Sequence, residues 1–283
     1  YTPSDGQAEP QKVCPAFQRA AQALGARFMT GCAVEGIELQ SGAVSGVNTE
    51  QGYIRASTVV CAAGAWSTRL VRPIGVRLPS LWIKGTVART APVKDLIAAG
   101  VWGNAAFRQR RDGRLYMALG VEGEHHLMID SLRFLPAFLT VYRQNRTEIK
   151  FKLGSVLLDD LMGRFDDYRH HRALDPPPSR KEIEMTVDHM QAEYEGLNGL
   201  TVERRWAGYI DCTPDMLPVI DQLDRPRGLV LATGFSGHGF GMGPIVGKLV
   251  SDIIVDAKPS LNIGGLRFSR FKEGISRKPR QVV

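Results

Sequence analysis

Cysteine is scarce in this chain, and its spacing excludes more than its number does. Cys14, Cys32, Cys61 and Cys212 are far apart and form no CxxC pair. That spacing argues against a disulfide framework or a structural zinc site and for reduced thiols in the cytoplasm. Uninterrupted apolar runs of about 18 residues are also missing, so no transmembrane segment is expected. The opening "YTPSDGQAEP" lacks the basic-then-apolar layout of a secretory leader. It also lacks a starting Met, which allows a start inside a longer protein. HExxH, a P-loop and a Ser-His-Asp signature are absent, and with them the sequence marks of the commonest metal, nucleotide and serine hydrolase sites. No metal is expected. A dinucleotide fingerprint fails as well, because it needs Gly at i, i+2 and i+5. Counting from Gly237 the last position is Met242, from Gly239 it is Pro244, and from Gly241 it is Val246.

What is present is globular. The 283 residues are 43% hydrophobic and 23% charged, enough to bury a core in one or two domains. The net charge is +7, concentrated in "RQRRDGR" (108–114), "YRHHR" (168–172) and the tail "RFSRFKEGISRKPR" (267–280). No nucleic-acid module accompanies these runs, so they read as solvated loops and a loose tail, and no nucleic-acid partner is expected. An anionic substrate or cofactor would suit the same charge balance.

Along the chain, residues 9–25 carry a helical pattern, with Pro15 acceptable only in a first turn or at a kink. Short β-rich runs follow: 26–40, 42–52 and 52–66, with "TVVCAAG" (58–64) a buried strand meeting a tight turn. More strands fill 78–130, with Asp112-Gly113 marking a hairpin. Residues 131–200 carry two long helical stretches separated by the extended link "DPPPS" (175–179). From about 258 the chain reads as a basic tail.

The densest feature is "GFSGHGFGMGP" (234–244), between an apolar strand "GLVLAT" (228–233) and an amphipathic helix "IVGKLVSDIIVD" (245–256). Pro244 suits the first helical position. A strand, a glycine-rich turn and a helix N-terminus present outward N–H groups and partial positive charge to an anion or a polar ring edge. The alternative is a tight structural loop.

Four stretches together resemble the D-amino-acid oxidase-like family of FAD-dependent amine oxidoreductases: "STVVCAAGAWS" (57–67), "KGTVARTAP" (84–92), "RWAGYIDCTPDMLPVID" (205–221) and "GLVLATGFSGHGFGMGPIVGKLVSDII" (228–254). The match runs from about residue 9 to 257. The resemblance implies an α/β (α+β) fold: a partial FAD-binding domain of glutathione-reductase-like type over 1–77 and 200–257, an antiparallel-sheet substrate domain over 78–199, and a basic tail over 258–283. In that family the Rossmann unit with GxGxxG comes first, so this chain is expected to be the larger, C-terminal part of the fold. The implied cofactor is FAD. The implied reaction is oxidation of a C–N bond in an amino acid or secondary amine, by hydride transfer to flavin N5. The electron acceptor is left open. The alternative function is a chain without flavin that acts as a non-catalytic interaction module.

The resemblance also implies residue roles. Gly234, Phe235, Gly237, His238, Gly239 and Met242 match the loop along the flavin edge. Val34 matches a position near adenine, and Ala62, Ala63, Gly64 and Trp66 match the turn by the ADP portion. His238 is the one candidate for proton transfer, or it orients the loop. Trp66 and Trp206 also read as core aromatics. Family members that oxidise simple amino acids often carry an arginine two residues after the Gly of "WAG", a bidentate carboxylate clamp. Here that position is Ile210. Tyr209 and Ile210 are candidate substrate residues, with Arg114 of the hairpin as the nominated source of charge. Arg108, Arg110, Arg111 and Lys84 are further options that spacing does not separate, and Asp211 either lines the pocket or fixes a turn.

Overall fold

A computed structural model of the chain describes residues 6–94, 100–120, 123–144, 149–168, 172–256 and 258–273. Within the basic run 168–172, residues 169–171 lie outside the described residues, as do 274–283 of the basic tail. The chain divides into two units: Tyr1–Cys32, Thr86–Val121 and Pro177–Ala207 form the first, and Ala33–Gly85, Glu122–Pro176 and Gly208–Val283 the second. Both are mixed α/β. Among the described residues no helix is long and apolar enough to cross a membrane.

The second unit is built on a small, fully buried sheet. Strand Leu229–Thr233 is buried at every position and pairs in parallel with Val59–Cys61 on one side and antiparallel with Val219–Gln222 on the other. Buried on both faces, such a strand favours apolar residues, and Leu229 to Ala232 are apolar, with Thr233 the polar exception at its end. Leu229 and Leu231 point into a core with Ile37, Val44, Val71, Leu78 and Val219. Ala232 and Ile220 point the other way, against Val246, Leu249 and Ile253 of the helix Gly239–Val255. The first core is closed by a three-stranded antiparallel meander, Val34–Gln40, Ala43–Thr49 and Gly52–Arg55. Its first hairpin turns on Ser41 and Gly42, both at positive φ, the conformation whose twist matches the flanking strands.

In the first unit, Ala105–Gln109 and Arg114–Leu119 form an antiparallel hairpin that extends along the strand Leu81–Pro92 through Val87 to Pro92. The hairpin turn predicted at Asp112-Gly113 is present, with Gly113 at φ +80°. One face of this sheet (Ala88, Phe107, Leu115, Met117) is covered by Ile183 and Met190 of the helix Arg180–Glu193. That helix follows the extended proline link, and Ser179 caps it by accepting the Glu182 N–H at 3.4 Å.

Three expectations are corrected and one is narrowed. The β-rich run over 26–40 forms a strand only from Val34, the preceding residues being mostly exposed. Of the two placements open to Pro15, the first turn is excluded, since it lies well inside the helix Pro10–Ala23. Pro244 is likewise inside its helix, which begins at Gly239 and not after the glycine stretch. Finally, residues up to 273 are not loose. Arg270 is buried and donates Nε and Nη2 to the two oxygens of buried Asp215, at 2.8 and 3.0 Å, and Nη2 also to the Leu217 carbonyl at 2.8 Å. A basic sequence run cannot reveal that one of its arginines has a buried bidentate partner.

Candidate functional site

Because Val59–Cys61 and Leu229–Thr233 run parallel and side by side, their carboxyl ends deliver two turns to the same edge. One is Ala62-Ala63-Gly64, which continues into a 3-10 turn Gly64–Trp66. The other is Gly234 to His238, which continues into the helix Gly239–Val255. In open α/β sheets this edge is where ligands bind.

The second turn is held from below. Asp211, buried near the end of the strand Val202–Cys212, accepts the Thr233 hydroxyl at 2.8 Å and the Gly234 N–H at 2.5 Å on the same oxygen. Thr233 Oγ1 also hydrogen-bonds Ser67 Oγ at 2.8 Å, which ties the two turns together. The Asp211 carbonyl accepts the Ser236 N–H at 3.1 Å, and Ser236 Oγ accepts from Thr213 N at 3.3 Å. Burial pushes the Asp211 carboxyl above its ordinary range, with the hydrogen bonds from Thr233 and Gly234 pulling the other way. The turn that Asp211 holds is the one at Gly234, and Asp211 itself lies within the strand Val202–Cys212 and not in a turn before "TPD".

Gly234 needs its lack of a side chain twice over. Its φ is +71°, and a Cβ there would lie 2.5 Å from Thr213 Cγ2. Gly237 differs: φ is +90°, but a Cβ would meet nothing within 4 Å. The same open space flanks Gly241 and Gly243. At these three positions the described residues leave room for a Cβ. Gly239 has ordinary helical backbone, with its Cβ position 3.2 Å from Phe235 Cβ. His238 is exposed and forms the helix N-cap position, and its Nδ1 donates to the Ser236 carbonyl at 3.0 Å. That bond fixes the orientation of the ring in the loop. Met242 N donates to the His238 carbonyl at 3.3 Å.

The other sequence-nominated residues fall as follows. Ala62 is exposed, and Ala63, Gly64 and Trp66 are half-buried. Val34 starts the meander opposite Thr49, on a different sheet from the two turns. Tyr209 and Ile210 are successive strand residues and take different surroundings. Tyr209 packs on Trp82 (centroids 5.2 Å) and His126 (6.1 Å), and burial pushes its hydroxyl up to about 12. Ile210 Cδ1 lies 3.5 Å from the Cβ position of Gly85. Arg114 is engaged with Glu203 at 3.0 Å and Asp112 at 3.3 Å, within the first unit.

Sequence reasoning missed the polar cluster beside Tyr209. Lys84 Nζ meets Glu124 Oε2 at 2.5 Å, both buried, with His126 Nε2 at 3.7 Å from the same oxygen. Burial would raise the Glu124 carboxyl, but the Lys84 hydrogen bond and charge outweigh it and hold it below its usual range. Burial and the neighbouring Lys84 push His126 down. Lys84 and Glu124 are register partners on neighbouring strands, 40 positions apart by number, a pairing that periodicity does not signal. Among the described residues no cluster of His, Cys, Asp and Glu could hold a metal.

The family model described as "FAD dependent oxidoreductase" (DAO) matches residues 1–253. D-amino acid dehydrogenase of Bradyrhizobium diazoefficiens is 27% identical over 270 residues, which cover 95% of this chain and 53% of that protein. Among solved structures, L-amino acid deaminase from Proteus myxofaciens in complex with anthranilate superposes with a TM-score of 0.82 at 26% identity, over 91% of this chain and 59% of that one. L-proline dehydrogenase from P. horikoshii gives 0.75 at 25% identity, over 99% and 63%. The chain thus spans about half the length of the dehydrogenase.

Proposed function

From the premise that this chain belongs to the DAO family of FAD-dependent oxidoreductases, we propose that it is the flavin-edge and substrate-side part of an enzyme that oxidises a C–N bond of an amino acid or secondary amine. The observation that carries this reading is the pair of turns at one edge of the buried sheet, joined through Ser67, Thr233 and Asp211. FAD, when bound, supplies the electron sink that takes the hydride from the carbon beside nitrogen.

The chain's own residues suit that cofactor. Gly234 to Met242 lead into a helix N-terminus with room for a Cβ at Gly237 and Gly241, and N–H groups there favour negative charge on a ring edge. Asp211 keeps the turn from relaxing, so the donors are aimed before any ligand arrives. Ala62, Ala63, Gly64 and Trp66 take the cofactor's ADP side, and Val34 the adenine. His238, with Nδ1 committed to Ser236, has only Nε2 for exchange with solvent or substrate. The chain holds no GxGxxG sequence, so the phosphate cradle is supplied by residues outside it.

For the substrate, Ile210 offers no charge where an arginine would clamp a small amino acid. An N-substituted or larger amine, with its carboxylate held elsewhere, fits that apolar side chain. The test is anaerobic flavin bleaching of the flavin-loaded protein against D-amino acids, L-amino acids, N-methylated amino acids and polyamines. N-substituted or bulky amines should bleach fastest, and Ile210→Arg should shift preference toward small amino acids. Rapid bleaching by D-alanine in the unaltered protein contradicts the substrate reading.

A further inference from the structure

The hairpin of the first unit carries four arginines, Arg108, Arg110, Arg111 and Arg114, of which the sequence reading nominated Arg114. Their surroundings rank them. Arg114 is shared between Glu203 and Asp112, and Arg111 is exposed. Arg108 and Arg110 instead converge on one aromatic ring. Tyr116 stands opposite Arg108 in the strand register. The Arg108 guanidinium carbon lies 4.9 Å from the Tyr116 ring centroid and that of Arg110 lies 5.0 Å away. Arg110 Nη1 also donates to the Tyr116 hydroxyl. Trp206 braces the ring edge-on, with centroids 5.6 Å apart at 84°.

Two guanidinium groups on one ring repel unless anions sit beside them. Asp112 answers for Arg110, at 3.2 Å from Nε and 3.2 Å from Nη2. The other anion is Glu9. Its Oε1 accepts from Arg108 Nη1 at 2.8 Å, and its Oε2 lies 3.6 Å from Arg110 Nη1. One carboxylate therefore bridges both arginines, one oxygen to each. The Arg108 hydrogen bond holds the Glu9 carboxyl below its usual range, against the opposing effect of burial.

The two sides of this contact differ in how firmly they are built. The arginine side stands on paired strands and a braced ring. The Glu9 side is the residue before the helix Pro10–Ala23, and that helix has no buried residue. A segment with so little buried surface opens at low cost. We propose that Arg108 and Arg110, stacked on Tyr116, form a carboxylate-binding clamp for an amino-acid-type ligand, with the Glu9 carboxylate as its exchangeable internal occupant. The ligand class rests on the functional reading above, and the clamp rests on its own geometry. Tyr116 and Trp206 favour a ligand with an apolar or aromatic body beside its carboxylate.

The test needs no flavin, so its outcome is separate from that of the oxidation assay. Benzoate serves as the carboxylate probe and benzamide as its neutral counterpart in isothermal titrations of the chain. Glu9→Gln vacates the clamp without adding charge and should raise benzoate affinity roughly tenfold, the worth of one charge-assisted contact. Arg108→Gln added to Glu9→Gln should abolish that gain, and benzamide should respond to neither change. Benzoate affinity unchanged by Glu9→Gln, or a gain that survives Arg108→Gln, overturns the clamp. In the unaltered chain, NMR gives a second reading that survives any misfolded variant. Benzoate should shift the Arg108 and Arg110 Nε–H resonances and move the Glu9 carboxyl carbon toward its solvent-exposed position, and resonances that stay fixed at saturating benzoate overturn the proposal. Benzoate binding in a protein that never bleaches flavin would keep the clamp and refute the oxidoreductase reading.

Discussion

Asp211 Oδ2 accepts the backbone N–H of Gly234 at 2.5 Å, so a buried carboxylate sets the first bond of the glycine turn. Removing it leaves that N–H and the Thr233 hydroxyl without their acceptor. Asp211→Ala should cost about 2–4 kcal/mol, the sum of two buried groups left unsatisfied. Asp211→Asn keeps an acceptor and should cost less. The pair also predicts a pH effect. Because burial raises the folded Asp211 pKa, the folded state holds that proton where the unfolded chain has lost it. The associated stability is fully present below the unfolded value near 3.8 and is lost as pH rises through the raised folded value. Urea midpoints measured from pH 3 upward should therefore decline through this window in the unaltered chain relative to Asp211→Asn. Parallel curves would show that Asp211 titrates normally.

Gly234 and Gly237 both lie at positive φ, but only Gly234 lacks space. Gly237→Ala should cost about 1–2 kcal/mol, the strain of a left-handed backbone. Gly234→Ala adds the overlap with Thr213 Cγ2 and should cost about 3 kcal/mol or more. Thr213→Ser deletes that methyl and should recover part of the loss at Gly234 and none at Gly237. Equal costs for the two single substitutions would mean the turn shifts to make room.

Arg270 and Asp215 are buried together, so either one alone is a charge without a partner. Arg270→Met should destabilise the chain by about 3–5 kcal/mol, and Arg270→Met with Asp215→Asn should recover much of that. Chemical denaturation of the four proteins checks it. Additive losses would show that the pair does not couple.

Much of this was legible in the sequence, and the boundary is physical. The buried strand and glycine turn announce themselves because an apolar run and five closely spaced glycines are local signals. The hairpin at Asp112-Gly113 is local for the same reason. What stayed hidden joins residues far apart in the chain. Asp211 with Gly234, Lys84 with Glu124 and Arg270 with Asp215 meet through folding, and nothing in their spacing foretells it. Arg108 and Arg110 were visible as charges, but the ring between them and the Glu9 bridge were not. The helix start was misplaced because three glycines and a proline lower helix propensity, yet packing of Val246, Leu249 and Ile253 on the sheet holds the helix from Gly239 onward.

The central claim, that the turn from Gly234 to Met242 lies against a flavin, is tested most directly by an FAD titration with a matched control. Gly75 shares the relevant features of Gly237: φ is +85° against +90°, and a Cβ at either site meets nothing within 4 Å. Valine at either position strains the backbone alike, and its Cβ meets nothing within 4 Å among the described residues. In the full-length protein, Gly75→Val should keep FAD binding while Gly237→Val loses it, at similar cost to stability. Equal FAD affinity in the two variants would contradict the account.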